Sequence, residues 1–105
     1  MTLAPDQILE RLEEIERDLA TRQNTLESAA EKWFKAKRDR EKARAVAFLA
    51  AEGTVAQRQA IAERDTATDG RDEEAEYEAV KAVVRVLETR ASIGQTLART
   101  NARTT

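Results

Sequence analysis

Residues 8–50 read ILERLEEIERDLATRQNTLESAAEKWFKAKRDREKARAVAFLA. Steps of four and three along them pick out Ile8, Leu12, Ile15, Leu19, Arg22, Leu26, Ala29, Trp33, Ala36, Arg40, Ala43, Ala47 and Ala50 without a slip. This is a heptad seam. A 3.5-residue period sustained over so many turns marks a coiled coil rather than an ordinary amphipathic helix, because it keeps one edge facing a partner. The first half of the seam is a Leu/Ile zipper. The second half is mostly alanine, which lets backbones approach but buries little area, so it needs bulky neighbours such as Phe34, Phe48 and Leu49.

Outward from that seam, Pro5-Asp6 starts the helix, with Asp6 and Glu10 near its positive end. It runs to Glu52-Gly53, where glycine is the expected stop. A helix over 6–52 would be roughly 70 Å long at 1.5 Å per residue. A compact chain of this size has a radius of gyration of about 13 Å, so the rod must lean on other helices. Thr54-Val55-Ala56-Gln57 has the spacing of a capping box and opens a short helix over about 54–66. Thr66-Ala67-Thr68-Asp69-Gly70 is the clearest break in the chain. The acidic residues Asp72, Glu73, Glu74, Glu76 and Glu78 then begin a last helix over about 71–98. Its middle, with Ala75, Tyr77, Ala79, Val80, Val83, Val84, Val86 and Leu87, is apolar over more than one stripe. That breadth suits a helix buried between two neighbours. Residues 99–105 lack periodicity and are expected to fray or to be ordered by a partner.

The expected fold is therefore all-α: a long coiled-coil helix, a short helix and a C-terminal helix in one domain over 1–105, assembled as an oligomeric helical bundle. The chain has 105 residues, of which 23 are large and apolar, a thin core for a monomer. The candidate contacts between copies are Ile8, Leu12, Ile15, Leu19, Leu26, Trp33, Val80, Val83 and Leu87.

Composition removes whole classes of chemistry. There is no His and no Cys, which excludes His- or thiol-based catalysis, zinc sites, iron–sulfur clusters and disulfides. The sequence has no glycine-rich phosphate loop, nucleophile elbow or dinucleotide fingerprint. Asp69 to Glu76 does not follow a calcium-loop pattern, and its carboxylates read as a solvated helix start. The expectation is a non-enzymatic protein with no cofactor and no metal. The opening residues lack the pattern of a signal peptide, and the longest uncharged run, Ala91 to Ala98, is too short for a membrane span. A soluble, intracellular protein is expected.

Lys and Arg number 18 and Asp and Glu 20, for a net charge of −2, but the charges come in blocks. Residues 1–20 hold two basic and six acidic side chains, 31–44 seven and three, 63–78 two and eight, and 81–103 five and one. Opposite blocks could pair between antiparallel helices or staggered subunits and set register. The basic block carries Lys32, Lys35, Lys37, Arg38, Arg40, Lys42 and Arg44 around Trp33. Lys35, Arg38 and Lys42 share one side of the helix, suited to tracking phosphates while a ring stacks a base. The seam position of Trp33 favours the other reading of the aromatics, as core residues, while the cations fit a solvated surface as well as a phosphate track. Arg85 and Arg90, with Lys81, Arg99 and Arg103, form a second basic group, which also suits the negative end of the last helix.

A long Ala/Lys/Arg/Glu-rich helix holds the Trp33-Phe34 pair, and a Gly53-Thr54-Val55 turn leads into the Gln57-Arg58 helix. The closing helix carries Glu76-Tyr77-Glu78-Ala79-Val80-Lys81-Ala82-Val83. That layout resembles small helical proteins of tailed bacteriophages, and within that set it is loosely similar to the UvsY-type recombination mediators. The resemblance implies an oligomeric helical protein of the host cytoplasm that binds single-stranded DNA. It would help a recombinase replace a single-strand-binding protein. The function expected is therefore a non-enzymatic, DNA-binding accessory of phage recombination or replication; the alternative is a structural or adaptor coiled coil that binds another protein without nucleic acid, as an assembly chaperone or host-factor inhibitor does.

Overall fold

The computed structural model describes residues 4–104, with backbone alone at 101, 103 and 104. The described residues form three helices and no strand: α1 (Pro5–Ala50), α2 (Val55–Thr66) and α3 (Arg71–Thr104). No described helix is long and apolar enough to cross a membrane. The chain groups into two compact units. The first comprises 1–27 with 78–105, and the second 28–77.

The helix ends differ from expectation for local reasons. α1 stops at Ala50 rather than Glu52 because a side chain takes its last carbonyls: Arg58 donates from Nε to the Phe48 oxygen at 3.2 Å and from Nη2 to the Leu49 oxygen at 3.3 Å. Gly53 follows at φ +115°. α2 begins after a complete capping box, with the Gln57 amide donating to Thr54 Oγ1 at 3.2 Å and the Thr54 amide donating to Gln57 Oε1 at 2.9 Å. Gly70 takes φ +77°, a left-handed conformation that ends the turn and starts α3. At the far end, α3 continues past residue 98 to Thr104, so the stretch 99–104 is helical; Thr105 lies outside the described residues.

In the first unit, the α1 and α3 segments run antiparallel. Leu12 lies against Gly94, Ile8 shares a groove with Ile93 and Leu97, and Asp18 shares one with Val83 and Leu87. The core is narrow: Ile8, Val84, Leu87 and Ala91 are buried. In the second unit Ala29, Ala62 and Thr66 are buried, and the Thr66 hydroxyl is satisfied by the Ala62 carbonyl at 2.8 Å. Among the described residues no large side chain is wholly buried. Such a core agrees with the few large apolar residues in the chain.

Candidate interaction surfaces

The α1 seam is the covered side of that helix. Every seam position from Ile8 to Ala47 is buried or half-buried except Arg22, and Ala50 is exposed at the helix end. Arg22 instead turns to Asp18, 3.8 Å away, in an exposed pair one helical turn apart. Ile8, Leu12, Ile15, Leu19, Leu26 and Trp33, the α1 candidates for contacts between copies, are thus covered within the chain itself.

On α3 the covered positions also step by three and four: Val80, Val84, Leu87, Ala91, Gly94 and Ala98 are buried or half-buried. A second apolar stripe lies about 110° around the helix, by the 100° turn per residue. It is open. Val83, Val86, Ile93 and Leu97 are 42%, 50%, 56% and 46% exposed, and Arg90 completes the 3-4-3-4 spacing. Val80 and Leu87 therefore belong to the covered stripe and Val83 to the open one. The stripe borders two grooves against α1, one walled by Arg11, Leu12 and Ile15, the other by Asp18. Arg90 lines both.

The basic block lies in the second unit. Lys32, Lys35, Lys37, Arg38, Lys42 and Arg44 are exposed. Lys35, Arg38 and Lys42 fall within about 60° of one another on the side of α1 away from the seam. None of the three forms an ion pair among the described residues. Lys37 and Arg44 lie on another side. Trp33 is half-buried, and a Cβ built on Gly70 would come within 3.2 Å of its Cζ3 atom. Arg40 is half-buried with its guanidinium 5.8 Å from the Trp33 ring centroid, a cation–π geometry. The indole thus has one neighbour at Gly70 and another at Arg40. Phe34 is 48% exposed and meets Tyr77 at a centroid distance of 6.0 Å and an angle of 52°. In the first unit, Arg85 and Arg90 are exposed but about 140° apart around α3, so they do not form one patch. The Arg103 side chain lies outside the described residues.

A third surface escaped the sequence reading. Glu41, Arg44, Ala45, Phe48, Leu49, Gln59, Ala62 and Glu63 line an open groove between α1 and α2. Its lining combines the apolar Ala45, Phe48, Leu49 and Ala62 with the charged Glu41, Arg44 and Glu63. Arg58 bonds the carbonyls of two of the groove's lining residues, Phe48 and Leu49, and that pair was the groove's one hint in the sequence. Among the described residues no three carboxylates converge as metal ligands. Comparison with protein-family models, with curated proteins and with solved structures finds no match.

Proposed function

We propose that this chain is a non-enzymatic helical assembly protein that works by joining helical chains through the open face of α3. The observation that carries this reading is the second heptad stripe, Val83, Val86, Ile93 and Leu97, exposed beside a first stripe that is already covered. Isolated apolar side chains on a surface are ordinary, but a stripe that keeps coiled-coil spacing over 15 residues is a helix-binding edge. Trp33 adds support, because an indole seated against Gly70 and under Arg40 is occupied in holding the second unit together. The test is light scattering from about 1 to about 100 μM. Mass should rise with concentration for the native chain and stay monomeric for Val86→Glu with Ile93→Glu. A native chain that remains monomeric throughout would defeat the reading.

A second reading has its own observation: the three unpaired cations Lys35, Arg38 and Lys42 on one exposed side of α1. They support single-stranded DNA binding, as in a phage recombination or replication accessory that works beside a recombinase in the host cytoplasm. Binding of a labelled oligonucleotide should then weaken steeply as salt rises from about 50 mM, and Lys35→Glu with Arg38→Glu should abolish it. Absence of binding at the lowest salt rejects this reading and leaves the first untouched.

A further inference from the structure

The open face of α3 is unusually poor in charge for a chain in which 36% of residues are charged. Beyond the stripe itself, its outer flank is Ala82, Thr89 and Thr96, seven residues apart. The threonine hydroxyls are already used. Thr89 Oγ1 donates to the Arg85 carbonyl at 3.0 Å and Thr96 Oγ1 to the Ser92 carbonyl at 3.1 Å. What the flank offers a neighbour is therefore methyl groups, and covering them leaves no hydroxyl without a partner. The flank also lacks the charged e and g residues by which coiled coils distinguish one partner from another.

One charge remains on the face, Arg90, and it selects both the partner and its direction. Two parallel copies would set Arg90 against Arg90, an unfavourable like-charge layer. Antiparallel copies pair a positions with d positions and separate the two guanidinium groups along the axis. Two such registers keep the stripe in step. In one, Val83 faces Ile93 of the second copy, Val86 faces its Arg90 and Ala79 faces its Leu97. In the other, shifted by one heptad, Arg90 faces Ile93 and Val83 faces Thr100. In the second register the arginine arrives at the groove walled by Arg11, Leu12 and Ile15, where it meets a like charge; in the first it arrives at the groove walled by Asp18. Asp18 shares a groove with Val83, Val86, Leu87 and Arg90 of its own chain, so it stands level with Val86. That is the level at which Arg90 of the second copy arrives. The stem of the arginine can then lie along Val86 while its head reaches the Asp18 carboxylate.

Resting on the assembly reading above, we propose that two copies of this chain pair antiparallel about a two-fold axis through the open faces of α3. Val83 of each copy lies opposite Ile93 of the other, and Arg90 of each beside Asp18 of the other. The interface is isologous, so it closes on itself as a dimer. Two hairpins of α1 and α3 then share one enlarged core.

The chain contains no cysteine, so introduced thiols report cleanly. Val83→Cys and Ile93→Cys proteins are mixed in equal amounts, oxidised, and their disulfides sorted by mass. The mixed Val83→Cys/Ile93→Cys product should exceed either homodisulfide at least severalfold, because only opposed Cα atoms reach disulfide distance. Predominant homodisulfides would overturn the antiparallel register. If light scattering still finds a dimer sensitive to Val86→Glu with Ile93→Glu, the assembly reading stands and only the arrangement falls. Yields no higher than those of an exposed control, Val46→Cys, would overturn pairing through this face. A charge exchange gives the second readout: Asp18→Arg should weaken the dimer about tenfold, and adding Arg90→Asp should restore it. A dimer indifferent to both changes overturns the proposed register.

Discussion

The guanidinium of Arg58 lies 4.9 Å from the centroid of the Phe48 ring, and its Nε donates to the Phe48 carbonyl oxygen at 3.2 Å. One residue of α2 thus stacks on the last turn of α1 and also caps it. The last turn of α1 holds no basic residue of its own, so Arg58 supplies both the hydrogen bonds and the positive charge that a helix C-terminus favours.

Replacing Arg58 with Ala should therefore lower stability by about 1–2 kcal/mol, since orphaned carbonyls and a cation–π contact are lost together. Arg58→Lys should recover only part, because one ammonium cannot match the planar fork that reaches two carbonyls. Thermal unfolding followed by circular dichroism measures both, and equal stability of all three chains would refute the cap.

Gly70→Ala should cost about 1–3 kcal/mol, because a residue with a Cβ is forced to φ +77°. The new methyl would also stand 3.2 Å from Trp33 Cζ3 and 3.3 Å from the Ala36 Cβ. Since Trp33 is the sole tryptophan, its emission should shift along with the midpoint in denaturant.

Loss of the capping box should be felt at the start of α2. Thr54→Ala removes the acceptor for the Gln57 amide and should cost about 1 kcal/mol. Gly53→Ala should cost more, for it strains φ +115° and drives a methyl into the Gln57 side chain that completes the box. Faster amide exchange at Gln57 and Arg58 is the expected signature.

Gly94 behaves differently, for it sits inside a regular helix. A Cβ there would meet the Leu12 side chain, tightly only at its Cδ1, 3.1 Å away, and in ordinary contact at Cβ and Cγ, beside an open groove that Leu12 itself lines. Gly94→Ala should thus gain about 0.5 kcal/mol from helix propensity. Gly94→Leu should separate α1 from α3 in the first unit and destabilise it. A loss on the alanine substitution, read from urea midpoints, would mean that Leu12 cannot yield.

Much of this was legible in the order of residues. A seam that repeats every seven positions from Ile8 to Ala47 admits only one covered side, and Thr54 with Gln57 states its own cap. The two stripes of α3 were legible as well. Which of them is covered was not, because Val84 and Val86 are chemically alike and only the packing against α1 separates them. Trp33 posed a related difficulty: its seam position favoured a packed ring, but the cations around it also suited a ring that stacks on a base. Its place follows from Gly70, 37 positions along the chain. Nor could local pattern reveal that Arg58 ends α1 from ten residues away.

The unbroken seam of α1 also makes its length a counted quantity. One inserted residue between Leu12 and Leu26 would rotate all that follows by about 100°, carrying Lys32 and Lys35 inward and turning Ala29 and Ala36 away from the covered side. Tolerated length variants should therefore come in whole sevens, each answered by seven more in α3. The molecule can be lengthened like a ladder, by rungs, but not trimmed to measure.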